Sequence, residues 1–566
     1  MDASRAHSAL ASLVGLEPDQ QLHRLQAEGL PPLFVEQWWG HEHLASGFDY
    51  WVDVLHPDAT LPLDAWLGRS GALLTRLDDG QDHQRWGHVA EACLLGSDGG
   101  LARYRLHLVP WTWFLGHARH SRVYQERPVR DIVEDVLGGH GDLARWRWSD
   151  DAVAALATAP VRSYCVQYRE PDLAFVLRLL AEEGIACAFD GDSGDGLTLV
   201  MSFDSTVQPE NPQSARDGGI RFHRNDGTEA TDTLQQLGPH RLLGSNRLSL
   251  STSDYQGPVV RHVQLPLQGA GSSPREIYEP VGAHAFAHAD DGQRRARRAA
   301  EAHEAGLAGW MGAGSIRSLQ AGRFIRVLGS GSGSAPVILP IEVLHHGCNP
   351  SPLTKASVPS RAEAPAAWRD ASHALPGAPL DAAPANGCVN RFRAVDQQKP
   401  WRPVLPDGTG ERLNPRPLAP GYQSATVISG GGRDDADLHA DSQGRVRVRL
   451  HLQGAADADA TCWMRVAQRY AGPGVGSQFL PRVGQEVLVG FIEGDIDRPL
   501  VLGALYNGRG DAGIVPTPAG TAAGAGDTGL FGRATDTGAS AQGNAAGGHA
   551  PAWHAVAPGE GQHRHA

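Results

Sequence analysis

Apolar and polar positions alternate along the first hundred residues in the way that is typical of β-strands. The segment ARYRLHLVPWTWFLG at 102–116 alternates apolar with basic residues. The segment FDYWVDVL at 48–55 mixes aromatic with β-branched residues, and the polar stretch at 77–88 is predicted as a turn. Because a two-residue period marks a strand with one buried face, these patterns predict a β-rich domain over 31–118.

The apolar period lengthens to that of α-helices between residues 119 and 231. In PVRDIVEDVLGGHG, apolar residues recur every three or four positions, and two glycines mark the end of a helix. EPDLAFVLRLLAEEGIACAF at 170–189 repeats this pattern, with Pro171 suited to a first helical turn and Gly184 at the end. The sequence therefore predicts an α/β insert over 119–231.

Short strands return over residues 232–350, together with one long helix predicted at 291–310. Within this helix, RRARR at 294–298 is a basic run of the kind found in nuclear localisation signals and nucleic-acid patches. We interpret it as a solvated helix face whose charge is balanced by Glu301 and Glu304.

Composition changes sharply after residue 350. Residues 351–422 are rich in proline and alanine, and such a composition predicts a linker or an extended arm. Strand-like alternation returns over 423–510, most clearly in RVRVRLHLQ at 445–453, and several short strands with glycine turns predict a small closed β-barrel. The Gly/Ala-rich segment 511–566 shows no periodicity and is predicted to be mobile unless a partner orders it. Residues 1–30 are treated as an N-terminal extension.

Bulk composition narrows the class of protein. A chain of 566 residues is too long for one hydrophobic core, so several domains are expected. A net charge of −13 and a pI near 6.0 argue against a general nucleic-acid binder. Six scattered cysteines without a CxxC pair favour a reduced protein over a zinc or disulfide scaffold. No secretory signal and no long apolar run is present, so stable membrane insertion is not expected.

The segment EGDID is the strongest candidate for chemistry. Glu493, Asp495 and Asp497 place three carboxylates at alternate positions, which would suit a metal site or an acid–base pair. The segment lies between EVLVGFI and PLVLGAL, two apolar strands of similar length, and its glycine and aspartates are typical turn residues. We therefore interpret the carboxylates as the solvated tip of a barrel hairpin.

Histidines and tryptophans give weaker signals. The histidine pairs and the histidines of the C-terminal segment lack a fixed third ligand, which makes them weak evidence for a metal. They are His41 with His43, His345 with His346, and His549, His554, His563 and His565. The tryptophans predicted as core or interface anchors are Trp38, Trp39, Trp111, Trp113 and Trp463. GxSxG, HExxH and GxxxxGK[ST] motifs are absent, so no catalytic, cofactor-binding or metal-binding residue is assigned and no cofactor is expected.

Five long blocks of the sequence resemble one protein family. They begin with YRLHLVPWTWF, RSYCVQYREPDLAF, NRFRAVDQQKPWRP, LHADSQGRVRVRLHLQ and CWMRVAQRYAGPGVGSQF, and lie at 104–141, 162–189, 390–403, 438–453 and 462–507. These blocks resemble VgrG proteins, the spike proteins of type VI secretion systems, which are similar to the hub and spike proteins of contractile phage tails. The resemblance implies a mainly β fold with an α/β insert, in which two β-barrel-like phage-hub domains at 31–118 and 232–350 precede an OB-fold β-barrel at 423–510.

The same resemblance implies a mechanical function. Family members are homotrimers that cap a tube of hexameric rings, contact baseplate proteins and carry a PAAR-type tip protein with effectors or their adaptors. Sheath contraction drives the spike into a target cell. We thus expect a non-enzymatic protein without nucleic acid that assembles in the bacterial cytoplasm and is translocated by the type VI system without a signal peptide.

One departure from the family pattern stands beside several alternative functions. The family's spike is a long repetitive β-prism after the barrel, whereas this chain stops at Ala566. We expect 511–566 to be a connector toward a β-prism spike, and the chain to be truncated. The alternatives are a cell-envelope-degrading enzyme that uses the EGDID carboxylates, a hub or spike of a prophage or another contractile injection system, and an OB-type binder of single-stranded nucleic acid through its barrel arginines.

Overall fold

The computed structural model describes most of the chain between Gln21 and Leu505. The described residues are 21–98, 101–191, 196–223, 232–254, 259–269, 273–286, 288–329, 336–349, 362–375, 387–404, 417–429, 438–452, 461–472, 475–505, 515–516 and 522–523. The histidines of the C-terminal segment, and nearly all of the predicted connector, lie outside these ranges.

The first six strands form one half of a 12-stranded sheet, in the order β1-β4-β5-β6-β3-β2. They are β1 (His23–Ala27), β2 (Phe34–His43), β3 (Gly47–His56), β4 (Ser70–Arg76), β5 (Asp82–Asp98) and β6 (Leu101–Val109). Their inward side chains, among them Trp38 and Tyr104, make one hydrophobic core. Asn349 joins the two ends of this half, because its Nδ2 donates to the carbonyl oxygens of His23 and Val35, both at 2.7 Å. The half is therefore barrel-like.

An α/β insert follows this first half. Its elements are α1 (Thr112–Leu115), β7 (Arg119–Arg127), α2 (Val129–Gly138), β8 (Trp146–Trp148), α3 (Asp150–Ala157), β9 (Arg162–Pro171), α4 (Asp172–Glu182), β10 (Ala186–Asp190), β11 (Thr198–Ser202) and α5 (Pro212–Asp217). The apolar stripes of α2 and α4 meet in a core that contains Ile132, Val136, Phe175 and Leu179. Both helices predicted from the apolar period are confirmed.

The second half of the large sheet closes on itself. Residues 220–396 contain the strands of this half together with a separate sheet and two helices. In chain order these elements are β12 (Ile220–Phe222), β13 (Thr233–Arg241), β14 (Arg247–Asp254), β15 (Val259–Pro266), β16 (Glu276–Pro280), α6 (Ala289–Leu307), β17 (Ala308–Gly314), β18 (Ile325–Leu328), β19 (Val337–Cys348), α7 (Ala366–Ala374) and β20 (Cys388–Asp396). The order β19-β18-β12-β13-β17-β20 becomes a ring, since β20 also pairs with β19. Antiparallel pairing of β2 with β19 joins the two halves edge to edge.

Helix α6 covers a separate three-stranded sheet with the order β15-β14-β16. Ala296 and Ala300 of the helix are buried against Leu250 and Phe286. The small alanine side chains let the helix approach the sheet closely. None of the helices in the described part of the chain combines the length and the apolar character needed to cross a bilayer.

A five-stranded closed barrel forms the C-terminal part, with the order β21-β22-β23-β27-β26. The remaining strands are β21 (Gln423–Val427), β22 (Val446–Leu450), β23 (Cys462–Val466), β24 (Ala471–Gly472), β25 (Val475–Gly476), β26 (Glu486–Phe491), β27 (Pro499–Leu505), β28 (Val515–Pro516) and β29 (Ala522–Ala523). In β22, Val446 and Val448 are buried while Arg447 is half-exposed, as the alternation predicted. The predicted fold of two barrel-like domains, an α/β insert and a small barrel is confirmed.

Three local predictions need correction. The polar stretch 77–88 is a turn only as far as residue 81, because β5 begins at Asp82 and pairs with β4. The strand predicted over 102–116 ends at Val109, where Pro110 precedes the short helix α1. Proline offers no backbone N–H to a neighbouring strand, which accounts for the break.

The largest difference concerns the predicted linker at 351–422. Within it, α7 packs Trp368 into the core against Trp39, and β20 completes the second ring. The average composition of this stretch hides the strand, because the short segment VNRFRAV is flanked by residues rich in proline and alanine. For residues 388–396 the expectation of a linker is therefore wrong.

A glycine marks the closest approach between the two halves. Gly347 on β19 faces Trp38 on β2, and a Cβ at Gly347 would lie 2.0 Å from Trp38 Nε1. A larger residue cannot stand there unless the indole moves. The position of the Trp38 indole thus depends on a glycine that lies more than 300 residues away in the sequence.

Candidate functional site at the junction of insert and barrel

The EGDID segment folds as the turn between β26 and β27. A single 3-10 turn spans Ile492–Gly494, and Glu493 at its centre is exposed with φ of 55°. Asp495 Oδ1 accepts a hydrogen bond from the backbone N of Asp497 at 2.9 Å, and the Asp495 carbonyl oxygen accepts one from the N of Arg498. The predicted turn is confirmed by these hydrogen bonds within the segment.

Asp497 does not belong to a solvated tip. It is 4% exposed, and its Oδ1 accepts a hydrogen bond from the backbone N–H of Val166 on β9 at 2.7 Å. The interpretation of all three carboxylates as solvated is therefore wrong for Asp497, although Glu493 is exposed. No sequence signal could have shown this contact, since the two residues are 331 positions apart.

Arg498 makes a second connection from the same turn. Its Nε donates to the carbonyl oxygen of Ala283 at 2.5 Å, and its Nη2 donates to that of His284 at 3.2 Å. Both acceptors lie in the loop that follows β16. The turn therefore contacts the insert through Asp497 and the loop after the three-stranded sheet through Arg498. Two adjacent residues thus fasten the barrel to two separate parts of the chain.

Strand β9 has two apolar faces. Cys165 belongs to the core of the insert, whereas Tyr164, Val166 and Tyr168 share one hydrophobic core with the barrel. Alternate residues of a strand point to opposite sides, so one strand can serve two cores. The side chain of Gln423 adds a polar contact, with its Nε2 donating to the Tyr168 hydroxyl at 3.0 Å. The barrel is therefore packed against the insert through a continuous apolar contact.

Buried ion pairs extend the junction to α6. Glu183, at the end of α4, contacts Arg162 Nη2 at 2.8 Å and Arg298 Nη1 at 2.6 Å. The side chains of all three residues are less than 20% exposed. Burial alone would raise the pKa of Glu183, but the two guanidinium groups hold that pKa below its ordinary value. The negative charge of Glu183 is thus balanced by two positive charges within the molecule.

The segment after β20 is held against the same region. Trp401 is buried, and its backbone N donates to Ser205 Oγ at 2.7 Å. Arg402 Nε contacts Glu301 Oε2 at 2.7 Å, and its guanidinium lies 3.9 Å from the centre of the Phe203 ring. Residues 401 and 402 are therefore fixed to the insert and to α6, in a stretch where composition predicted a linker.

The basic run RRARR is largely engaged within the molecule. Arg294 pairs with Asp291 at 2.7 Å, and Arg298 pairs with Glu183 of the insert. Of the two glutamates predicted to balance the run, Glu301 pairs with Arg402 instead. In the barrel, Arg445 pairs with Asp441 and Arg447 donates to Thr461 Oγ1. These contacts lower the number of cations free to meet a nucleic acid.

The predicted histidine pairs lie on the neighbouring strands β2 and β19. His41 Nε2 is 3.1 Å from Glu342 Oε1, and His346 stacks on Trp39 with a centroid distance of 5.5 Å. His345 is buried and His43 is half-buried, and burial lowers the pKa of both. Within the described ranges, no group of three or more His, Cys, Asp or Glu side chains is placed to hold a metal ion.

Sequence reasoning missed a buried charge beside these histidines. Glu42 is 3% exposed, and it accepts hydrogen bonds from the Tyr50 hydroxyl and the N–H of Ala321, both at 2.9 Å. Arg85 lies 3.5 Å from its carboxylate, and His345 Nε2 lies 3.1 Å away. Although burial would raise the pKa of Glu42, these partners lower it. The two-residue period of β2 places Glu42 on the same face as Trp38, which could have drawn attention to a charged residue on that face.

The predicted tryptophan anchors divide into two groups. Trp38, Trp39 and Trp111 are buried, which confirms the prediction that they are core residues. Trp113 and Trp463 are half-exposed and lie beside His117 and His439.

Replacing Glu493 with glycine is expected to stabilise the barrel by about 0.5–1 kcal/mol. A non-glycine residue with φ of 55° pays a steric cost that exceeds the extra chain entropy of glycine. Urea denaturation of the full chain, compared with Glu493→Gln, measures the difference. A lower midpoint for Glu493→Gly than for Glu493→Gln would contradict this account of the turn.

Comparisons with known proteins identify the two parts of the fold. A family model described as "Phage tail baseplate hub (GPD)" matches residues 41–349. A second model, described as "Type VI secretion system/phage-baseplate injector OB domain", matches residues 435–506. The first match lies within the large sheet and its insert, and the second covers the closed barrel from β22 to β27.

Two curated relatives come from Pseudomonas aeruginosa. The type VI secretion system spike protein VgrG5 is 30% identical over 499 residues, covering 87% of this chain and 58% of the relative. The spike protein VgrG4b is 32% identical over 500 residues, covering 87% of this chain and 57% of the relative. The chain thus spans less than two thirds of the length of these relatives.

A solved structure shares the fold. It is the E. coli c3393 protein, described as a component of the type VI secretion system with structural similarity to T4 bacteriophage tail proteins gp27 and gp5. The TM-score is 0.55 at 20% identity, and the match covers 85% of this chain and all of that one. The family model that covers more than half of the residues shows that the chain belongs to the phage tail baseplate hub (GPD) family, and the curated relatives that it resembles are VgrG spike proteins.

Proposed function

We propose that this chain is a structural hub and spike component of a type VI secretion system. In this function it forms a homotrimer that caps the inner tube, is propelled by sheath contraction, and delivers effectors into a target cell. The observation that carries the proposal is the pair of six-stranded barrel-like halves joined edge to edge by β2 and β19. Three such chains would present six similar units, which match the symmetry of a hexameric ring.

The domain division predicted from the sequence is part of this proposal. Residues 31–118 and 232–350 would be the two hub domains, 119–231 the insert and 423–510 the OB-fold domain, with 351–422 between them. Residues 1–30 would be an extension, and 511–566 a connector toward a β-prism spike. The sheets support the hub and barrel assignments, with the addition that β20 belongs to the second hub domain.

The junction described above suits a force-bearing protein. Thrust from a tube must pass through the hub to the barrel, and a loose tether could not transmit compression. The shared apolar core, the Asp497 contact and the Arg498 contacts hold the barrel at several points. A buried, multiply connected interface resists relative motion better than a flexible linker does.

The partners in this proposal are the tube protein, baseplate proteins, and a PAAR-type tip protein with effectors or their adaptors. Assembly would take place in the bacterial cytoplasm, and translocation would need no signal peptide. We propose a non-enzymatic protein, because the Asp497 carboxylate is buried and bound to the Val166 N–H, and the Asp495 carboxylate accepts a hydrogen bond within the turn.

Deleting residues 31–505 in the producing bacterium is expected to abolish release of the tube protein and killing of target cells. Without a tip, a contractile tube has no site on which to assemble. Immunoblots of the culture medium and a competition assay measure the two effects, with the intact gene supplied from a plasmid as the control. Unchanged tube release in a strain without any other spike gene would overturn the proposed function.

A further inference from the structure

A cavity of about 450 Å³ lies where the insert, helix α6 and the barrel meet. We call it the junction cavity. The insert contributes Arg162 to its wall, α6 contributes Arg294 and Arg298, and the barrel contributes Trp463. The volume falls within the range of small-molecule binding sites and is many times that of one water molecule. The junction cavity therefore has room for an organic compound.

Charged side chains dominate the wall of the junction cavity. Seven arginines and six acidic residues line it. Five of the six carboxylates are within 3.2 Å of a partner in the protein, and the sixth, that of Glu126, belongs to an exposed residue. The five contacts are Glu182 with Arg162, Glu183 with Arg162, Asp291 with Arg294, Asp254 with His284, and Asp497 with the Val166 N–H. The negative charge of the wall is therefore largely compensated from within the protein.

Arg498 carries the positive charge that is best placed for a ligand. Within the described ranges, its guanidinium donates to three backbone carbonyl oxygens, those of Ala283, His284 and Asp497. A guanidinium has five N–H donors, so two of them remain for another acceptor. Carbonyl oxygens also leave the positive charge in place, because they carry no full negative charge. Since Arg498 lines the junction cavity, a bound oxyanion could accept both remaining hydrogen bonds.

The EGDID turn divides its charged side chains between two cavities. Glu493 and Asp495 line a smaller cavity of about 80 Å³, whereas Arg498 lines the junction cavity. A Cβ at Gly282 would lie 3.9 Å from a carboxylate oxygen of each of these two acidic residues, so both face the loop after β16. The turn thus presents a guanidinium, and not these two carboxylates, to the larger cavity.

Apolar side chains complete the wall of the junction cavity. Pro160 and Val161 come from the insert, Phe286 from the loop before α6 and Trp463 from the barrel. Val161 is 52% exposed, which places it at the opening to solvent. Ligand sites commonly combine an apolar wall with a few polar groups that orient the ligand. The carbon skeleton of an organic anion could thus contact these residues while Arg498 binds its charged group.

We propose that the junction cavity binds a small multivalent oxyanion, an organic phosphate or a polycarboxylate, which the Arg498 guanidinium anchors. A guanidinium forms paired hydrogen bonds with both kinds of anion. The net charge of −13 repels anions from the protein as a whole, so binding would report this local arrangement. Because the wall belongs to the insert, α6 and the barrel, the ligand would connect three parts of the chain. The inference goes beyond the proposed function and does not depend on it.

Isothermal titration calorimetry of the full chain with inorganic pyrophosphate and with citrate tests the inference. We expect at least one of the two probes to bind with a dissociation constant below about 1 mM at low ionic strength. The probe that binds more tightly shows whether the site prefers phosphates or carboxylates. Dissociation constants above about 1 mM for both probes would overturn the inference.

Two variants locate the bound probe. Arg498→Lys keeps the positive charge but loses the planar pair of donors, and Val161→Trp fills the opening without removing a charge. Each is expected to weaken binding at least about tenfold. Arg326→Lys is the matched control, since it makes the same exchange at a 51% exposed guanidinium outside the junction cavity. Circular dichroism shows which variants are folded, and unchanged binding in either folded variant would overturn the inference.

Limited proteolysis gives a second readout, because the site lies at the junction. A ligand that binds only the docked arrangement of barrel and insert stabilises that arrangement by mass action. A saturating concentration of the bound probe is therefore expected to slow cleavage between β20 and β21 in the unmodified protein, but not in Val161→Trp. Probe binding without slower cleavage would place the site elsewhere and overturn the inference. These outcomes are independent of tube release, which tests the proposed function.

Discussion

Glu183→Ala is expected to destabilise the protein by about 3–5 kcal/mol, the largest effect of any single substitution proposed for this chain. The change leaves Arg298 as a buried cation without a carboxylate partner, while Arg162 keeps the carboxylate of Glu182 at 2.6 Å. An uncompensated buried charge costs more than an exposed one, because the surrounding protein solvates it poorly. Urea denaturation at pH 7 measures the loss.

The matched control is the exposed pair between Glu363 and Arg369, whose side chains are 86% and 46% exposed. Glu363→Ala is expected to leave stability unchanged within error, since surface ion pairs contribute little. An equally small effect for Glu183→Ala would show that the three residues do not stabilise the junction.

Acidification gives an independent readout of Glu183. Its pKa is lowered in the folded state, so its contribution to stability is present above the unfolded value of about 4.5 and is lost as the pH falls through the folded pKa. The stability difference between the unmodified protein and Glu183→Gln is therefore expected to shrink from pH 6 to pH 3. A difference that grows on acidification would mean that the carboxylate is already protonated in the folded protein.

Asp497→Ala is expected to cost about 1.5–3 kcal/mol and to loosen the barrel from the insert. The Val166 N–H would lose a charged acceptor at 2.7 Å in a buried position. Scanning calorimetry should show a separate, earlier transition for the barrel, and limited proteolysis should cut the connection between β20 and β21 more rapidly. In the secretion assay, tube release should fall because thrust no longer passes through a rigid junction.

Two further variants serve as controls for Asp497→Ala. Asp497→Asn retains an acceptor oxygen and is expected to lose less stability than alanine, while Glu493→Gln changes an exposed carboxylate in the same turn and should have no effect. If Asp497→Ala behaved like Glu493→Gln, the barrel would be held by its apolar core and by the hydrogen bonds of Arg498 and Gln423, without a measurable contribution from Asp497.

In the EGDID segment, the sequence predicts the turn, whereas only the structure shows which carboxylate makes a long-range contact. Its flanking apolar strands and its glycine predict a hairpin turn, because these preferences arise from the local backbone. The difference between Asp495, which supports the turn, and Asp497, which leaves it for Val166, depends on where β9 lies. A pattern of alternate carboxylates could not separate the two functions.

Strand β20 is an element that the sequence analysis missed. Its segment VNRFRAV contains β-branched and aromatic residues that favour a strand, yet the proline and alanine content around it favoured a linker. The strand pairs with both β17 and β19, and these long-range contacts determine that the second ring closes. Composition averaged over a window cannot reveal a partner that lies elsewhere in the chain.

By itself, the sequence determined the elements and their order: a β-rich start, helices with apolar stripes in the insert, a long helix, and a barrel of short strands. It did so because periods of two and 3.6 residues are fixed by the local geometry of strand and helix. Only the tertiary structure decided that Glu42 and Glu183 are buried with partners, that Gly347 makes room for Trp38, and that β9 serves two cores. Each of these depends on residues far apart in the chain, whose approach no local pattern encodes.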